Sequence, residues 1–278
     1  MPLPQRRAYH MVYNTSLHEA LDYASGTVWN GIVPDFGVPE LSPEKVAFYE
    51  RMQLRQRSHE LGIEWGFHAP GDDVSLFCTY PIIRNAILEY FRDIIDFARD
   101  LSKTRTNIVV HAGTPPSFKQ AKTRNCDFTE KNSELYLQTL CDSLDDLITH
   151  SRVHANIALE NSSWNPIVRE AIDKMVPRGL KLCLDIPKLY EPKLNEDDWA
   201  VFEKHKDAIE VVHVHDRSDL YGEHQIVGDG SIYFERPLRL LDGLENPVLY
   251  VFEVRPREAA EKSLLSFVRI TDSLDIRL

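Results

Sequence analysis

Residues 155–161 read ANIALEN, residues 180–186 read LKLCLDI and residues 208–215 read AIEVVHVH. Each is a short run rich in apolar and β-branched residues. Each also carries, at or near its end, a side chain able to bind a metal or move a proton: Glu160, Asp185 and His213. The segments between these runs have helical length and periodicity, so the stretch reads as strand, helix, strand, helix, strand. That alternation specifies a parallel sheet with helical crossovers rather than a sandwich of antiparallel sheets.

Working outward, five more runs have the same character: AYHMVY from Ala8, NGIVPDF from Asn30, IEWGFH from Ile63, TNIVVHA from Thr106 and PVLYVFEV from Pro247. Eight strand-and-helix units is the number that closes a (β/α)8 TIM barrel, which is the expected fold. Among the helices, PIIRNAILEYFRDIIDFARDLSK starts at Pro81, a residue suited to a first turn. It aligns Ile83, Ile87, Phe91, Ile94 and Ala98 as a stripe expected to pack on the barrel wall. SLHEALDYA carries Ser16 and Glu19 at capping-box spacing, and SPEKVAFYERMQLRQRSHELG reads as a helix with a Ser-Pro start that ends at Gly62. No internal repeat, low-complexity tract or polar linker divides the chain, so residues 1–278 are expected to form one domain.

At 278 residues and 43% hydrophobic composition the chain can bury one substantial core. A formal net charge of -11 disfavours a generally basic surface for nucleic acid or anionic membranes, although a local basic loop could override it. No stretch approaches the roughly 18 apolar residues of a membrane span, and the start, MPLPQRRAYHMVYN, lacks the apolar core of a signal peptide. A soluble, cytoplasmic protein without a membrane partner is expected, with its oligomeric state left open. Cys78, Cys126, Cys141 and Cys183 form no C-x-x-C pair, so neither a zinc ribbon nor a redox motif is written here. They are read as reduced, Cys183 packing as a small hydrophobe.

Six of the eight runs end in a metal-capable residue: His68, His111, Glu160, Asp185, His213 and Glu253. A barrel gathers the carboxyl ends of its strands on one rim, so sequence distance is no objection to a common site. Three buried acids there repel one another unless a cation joins them, and a divalent ion is therefore expected. Arg217 and Arg255, just beyond strands seven and eight, are candidate substrate contacts. His215 alternates with His213 and is expected on the other side of its strand or in the following loop. His10 lies within the first strand; His18, His59, His150, His154 and His205 fall on helices or connections, where surface roles are the default. The loop after the fourth strand carries Lys119, Lys122 and Arg124 and is either a binding loop or a solvated one. The turn at Gly228, Asp229 and Gly230 fits either a phosphate approach or a positive-φ turn.

Taken together, FHAP at His68, VVHAG at His111, ALEN at Glu160, CLD at Asp185, VVHVHD at His213, GEHQIVGDG around His224 and VFEV at Glu253 resemble the xylose-isomerase-like barrel superfamily. That superfamily contains sugar isomerases, ketose 3-epimerases and the endonuclease IV type of abasic-site DNA repair enzyme. The resemblance implies that Glu160, Asp185, His213 and Glu253 hold one divalent ion and that the two glutamates also move protons. It implies a substrate-binding histidine three residues after the aspartate, where this chain has Lys188. In the endonuclease branch, residues matching His68 and His111 join Glu160 around a second metal. Those matching Lys188, Gly222 and His224 surround a third, and of these only His224 keeps the expected type.

The expectation is a metal-dependent isomerase or epimerase acting on a sugar or sugar phosphate, by proton transfer through a metal-stabilised enediolate. Glu160 and Glu253 are its expected acid and base, with Lys188, His224, Arg217 and Arg255 binding substrate. Manganese or magnesium suits the central ligand set; zinc is expected if His68 and His111 form a second site. The alternative is an endonuclease IV-like zinc phosphodiesterase acting on abasic DNA, and a third reading is a non-catalytic barrel that binds a polar ligand.

Overall fold

The computed structural model describes residues 3–13, 16–71, 74–115, 131–190 and 195–277. Strands β1 (Arg6–Met11), β2 (Gly31–Pro34), β3 (Glu64–Trp65), β4 (Phe67–His68), β5 (Thr106–Val110), β6 (Ala155–Glu160), β7 (Lys181–Asp185) and β8 (Ile209–Val214) are followed by a small hairpin, β9 (Asp216–Ser218) and β10 (Gly222–Gln225), and by β11 (Leu249–Phe252). The helices described are α1 (Leu17–Ser25), α2 (Phe48–Leu61), α3 (Pro81–Leu101), α4 (Ser133–Ser151), α5 (Pro166–Met175), α6 (Glu196–Lys204), α7 (Glu235–Asp242) and α8 (Arg257–Ser273). All eight sequence-derived strands are present, with β3 and β4 as two halves of the third.

The wall runs β3-β2-β1-β11-β8-β7-β6-β5-β4, and every pairing in it is parallel. Its two ends are consecutive pieces of one strand, separated only by Gly66, so the sheet curls round to a (β/α)8 TIM barrel. A Cβ on Gly66 would lie 3.0 Å from Val33 Cγ2 and 3.1 Å from Leu249 Cδ2, so glycine makes room for the side chains that fill the barrel at this height.

That filling is a compact set of small and branched residues: Ala8, Val33, Val109, Ala158, Cys183, Val211, Leu249 and Val251. Cys183 packs there as an apolar side chain. A second apolar layer joins the outer wall to the helices. From α3 it takes Leu88, Phe91, Ile94, Ile95, Phe97 and Ala98. The expected α3 stripe is buried at Phe91, Ile94 and Ala98 and packs partly buried at Ile87, but fails at its start, where Ile83 is 53% exposed.

Helix α1 is capped as the sequence indicates, the Ser16 hydroxyl accepting from Glu19 N. Helix α2 is shorter than its sequence signal. The Ser-Pro start forms only a short 3-10 turn at Pro43–Lys45, Ala47 is extended, and the α-helix begins at Phe48. Its end at Gly62 is as expected, with φ +66. Among the described residues no helix is long and apolar enough to cross a membrane.

Candidate metal centre at the strand ends

The side-chain period of a strand is two, so the residue two positions after an inward-pointing one also points inward. Applied to the barrel filling, this rule has a simple outcome. Ala8 is followed by His10, Val33 by Asp35, Gly66 by His68, Val109 by His111, Ala158 by Glu160, Cys183 by Asp185, Val211 by His213 and Val251 by Glu253. Every wall position thus delivers one titratable residue to the top of the barrel. Six of the eight are the residues expected from sequence; His10 and Asp35 were not expected.

Register sorts these eight into pairs. Asp185 lies beside His213 and Asp35 beside His68. One residue beyond the hydrogen-bonded ladders, His111 falls beside Glu160 and His10 beside Glu253. At the four seams in between the register slips by two residues: His10 faces Val33, His68 faces Val109, Glu160 faces Cys183 and His213 faces Val251. Four slips of two make a shear of eight, the stagger of a closed eight-stranded barrel. Each level pair consists of one imidazole and one carboxylate.

The contacts follow. Glu160 Oε2 is 3.1 Å from His111 Nε2, 3.2 Å from His68 Nε2 and 3.3 Å from His213 Nδ1. His213 Nδ1 is also 3.3 Å from Glu253 Oε1 and 3.8 Å from Asp185 Oδ2. Asp185 is clamped by Asn161, whose Oδ1 accepts from Asp185 N at 2.7 Å and whose Nδ2 donates to Asp185 O at 3.0 Å, which gives the asparagine of ALEN a structural role. All of these except His111 are buried.

Burial opposes charge on each of these groups, and mutual pairing overcomes it. Although burial raises it, Glu160 is held well below the usual carboxylate range by His111 and His213. Asp185 and Glu253 are lowered for the same reason, by His215 and His213 respectively. Burial lowers His68, yet Glu160 and Asp35 lift it to about 9. In the metal-free chain imidazolium groups therefore do what a cation would do.

The donor set fits a divalent ion on a further ground. Both ring nitrogens of His213, Nε2 of His111 and Oε1 of Glu253 are buried without a hydrogen bond, and buried polar atoms left that way are costly. Ligand atoms of Asp185, His213 and Glu253 lie within 4.8 Å of one another, as do those of His68, Glu160 and His213. The first set is centred on His213 Nδ1 and lacks Glu160 of the expected one-ion set; the second is centred on Glu160 Oε2 and holds His213 in place of the expected His111. A cleft of about 410 Å3 opens above them, lined by His10, Asp35, His68, His111, Glu160, Asp185, Lys188, His224, Glu253 and Arg255 among others.

The other expected site residues are distributed around this cleft. Lys188 sits at its rim with Nζ donating to both carboxylate oxygens of Glu223, at 3.0 and 2.9 Å, and with its backbone N on Asp185 Oδ1. His224, at φ +59 on β10, reaches in and places Nδ1 2.9 Å from Glu253 O. Arg255 lines the cleft with a buried Nε that has no hydrogen bond. Arg217 is not one of the residues lining the cleft. Lys119, Lys122, Arg124 and Cys126 lie outside the described residues.

His215 departs from expectation. It is fully buried, its Nε2 is 3.4 Å from Asp185 Oδ2, its ring lies 4.5 Å from that of His224, and with His224 and Glu253 it forms a third group of clustered ligand atoms. Residues two apart on a strand share a face, so alternation from His213 places His215 on the same side, one residue past the end of β8 at Val214. The turn at 228–230 is structural. Gly228 N donates to Asp216 Oδ2, and a Cβ on Gly230 would sit 2.2 Å from Asp216 Oδ1, so this backbone closes on the buried Asp216 carboxylate.

Comparison with known proteins agrees with this architecture. A curated protein of unassigned function from Methanocaldococcus jannaschii is 28% identical over 177 residues, which cover 62% of this chain and 63% of that protein. A D-tagatose 3-epimerase-like protein superposes with a TM-score of 0.69 at 20% identity, covering 98% of both chains. L-ribulose 3-epimerase gives 0.69 at 14% identity over 97% of this chain and 94% of its own. D-psicose 3-epimerase from Clostridium cellulolyticum H10 gives 0.69 at 12% identity over 97% and 99%. Two of these neighbours are sugar epimerases and one is epimerase-like, and at such identities they establish a shared fold. The model of the family described as xylose isomerase-like TIM barrel matches residues 30–270, and the chain belongs to that family.

Proposed function

We propose that the protein is a divalent-metal-dependent isomerase or epimerase of a small sugar or sugar phosphate, with Glu160 and Glu253 as its acid and base. One observation carries this reading. Glu160 Oε2 and Glu253 Oε1 each lie 3.3 Å from the same buried nitrogen, His213 Nδ1, at the floor of a polar cleft. Glu160, Asp185, His213 and Glu253 would hold the ion, which when bound supplies a Lewis acid for negative charge developing on the substrate's oxygens.

The proton work falls to the chain. Glu160 ends β6 and Glu253 follows β11, so the two acids reach the cleft from different parts of the wall. One removes a proton from the carbon beside the carbonyl and the other returns one to it. Their surroundings keep both as carboxylates in the metal-free chain, so either can act as the base. Asp185 and His213 chiefly hold the ion. His224, Lys188 and Arg255 line the cleft and would bind hydroxyl or phosphate oxygens, with Arg217 contributing from beyond it. The one-domain reading of residues 1–278 and the cytoplasmic location belong to the same proposal.

The test is deuterium exchange. Protein loaded with manganese or zinc is incubated in D2O with D-tagatose, D-psicose, L-ribulose and their phosphates, and proton NMR follows the carbon next to the carbonyl. Metal-dependent deuterium uptake, lost in E160Q and E253Q at saturating manganese, supports the proposal; uptake at the parent rate in both variants sinks it. A second reading draws on the convergence of His68 and His111 on Glu160 Oε2, which would suit a zinc pair and phosphodiester hydrolysis. If no sugar exchanges and the zinc-loaded protein nicks abasic duplex DNA at a rate that tracks His111, that reading replaces the first.

A further inference from the structure

Six of the eight inward side chains are used by the proposed ions and acids; His10 and Asp35 are not. His10 is 7% exposed, and neither ring nitrogen makes a hydrogen bond of good geometry. Its ring is nevertheless held between two acids, with Nδ1 3.5 Å from Glu253 Oε1 and Nε2 3.3 Å from Asp35 Oδ2. Asp35 is itself anchored. Gly37 N donates to Asp35 Oδ1 at 2.7 Å, and a Cβ on Gly37 would stand 2.9 Å from that oxygen, so glycine leaves the carboxylate its place.

Asp35 is also registered against His68. The two residues bridge across the seam between β2 and β4, and Phe36 N donates to His68 O at 2.9 Å. Asp35 Oδ1 is 3.8 Å from His68 Nδ1, whose nearer partner is Ala69 O at 2.9 Å. Asp35 therefore steadies His68 by charge and backbone register rather than by a hydrogen bond. The contacts close into a ring in which Glu253, His10, Asp35, His68, Glu160 and His213 each lie within 3.8 Å of the next.

We propose that Asp35 is a positioning residue for both acids of the site, orienting His10 against Glu253 and His68 against Glu160. A carboxylate behind an imidazole fixes the ring's orientation and tautomer, and such supporting groups commonly govern how well a site binds its ion. Here one carboxylate supports two imidazoles that face two different acids, so its loss loosens both sides of the site together. The inference rests on the metal reading only for its effect on ion affinity.

The test uses D35N, which keeps the side chain's shape and its acceptor for Gly37 N. In metal-free protein, the imidazole nitrogen NMR signals of His10 and His68 should move together. In the control D173N, which removes the negative charge 2.7 Å from His205, only the His205 signal should move. By chelator competition, D35N should weaken manganese binding about 10- to 100-fold while D173N stays within about twofold of the parent. D35N with both ring signals in place and manganese affinity within about threefold of the parent overturns the proposal. A parent that binds no manganese, with D35N still moving both signals, leaves the positioning role standing and removes the metal reading instead. If D35N does not fold, H10Q decides: it should weaken manganese binding with the His68 signal unmoved, and unchanged affinity overturns the proposal.

Discussion

Replacing Glu160 by glutamine tests the centre of the site with minimal change of shape. Oε2 of Glu160 is the meeting point of His68, His111 and His213, at 3.1–3.3 Å from each. Without its charge His68 and His213 lose one of the acids that raise them. The gap for His68 between about 9 and its ordinary 6.5 is worth on the order of 3 kcal/mol in the metal-free protein, at ~1.36 kcal/mol per pH unit. Glu160 supplies part of that, so the metal-free E160Q protein should melt up to about 5 °C lower at pH 7. The larger effect is on the ion. Loss of a group that only supports a ligand weakens binding ~10- to 100-fold, so loss of a carboxylate ligand should cost at least about 100-fold, or ~2.7 kcal/mol. Manganese competition against a fluorescent chelator measures this directly, and melts with and without manganese measure it again. An E160Q protein that binds manganese within about threefold of the parent, and melts with it, would refute the reasoning.

Other outcomes follow from the same geometry. His68 is raised to about 9, so its contribution is fully present below about pH 6.5 and disappears as pH rises through 9; urea melts in chelator should show metal-free stability falling across that window. Manganese must displace those protons, so its stabilising effect should grow over the same range, and a flat profile in both series would contradict this. If two zincs are bound, His68→Ala and His111→Ala should each remove one, read by elemental analysis of protein purified without chelator. Lys188→Met and Arg255→Met should reduce kcat/KM about tenfold more for a phosphorylated sugar than for its neutral counterpart, since both cations line the cleft. Gly230→Ala forces a Cβ to 2.2 Å from Asp216 Oδ1 and should destabilise the protein by about 3 kcal/mol, measured by urea unfolding.

Much of the fold is legible in the sequence because a barrel strand buried on both faces is a short apolar run, and eight such runs stand out. The position of the site is legible for a related reason: Glu160, Asp185, His213 and Glu253 follow apolar residues by two places at strand ends, where a lone charge is conspicuous. His10 obeys the same spacing from Ala8, yet the run AYHMVY continues to Tyr13 and makes it look mid-strand; β1 ends at Met11. Asp35 is two places past Val33, but NGIVPDF closes on the apolar Phe36, which draws attention away from the acid. The expectation for His215 inverts the strand period: residues two apart share a face, so His215 belongs on the side of His213. The hairpin of β9 and β10 leaves no periodic signal in so few residues, although it brings His224 to the cleft and Glu223 to Lys188. The exposed start of α3 shows the complementary limit, since an apolar stripe reports which face would pack but not whether each of its residues is covered.

The most direct test of the account is the anomalous difference map of crystals soaked in manganese. The account predicts a strong peak at the carboxyl end of the barrel, in contact with Glu160, Asp185, His213 and Glu253 at ligand distances of roughly 2.0–2.3 Å. At saturating manganese, a map with no peak among those four residues, or with its only strong peak elsewhere on the protein, would contradict it.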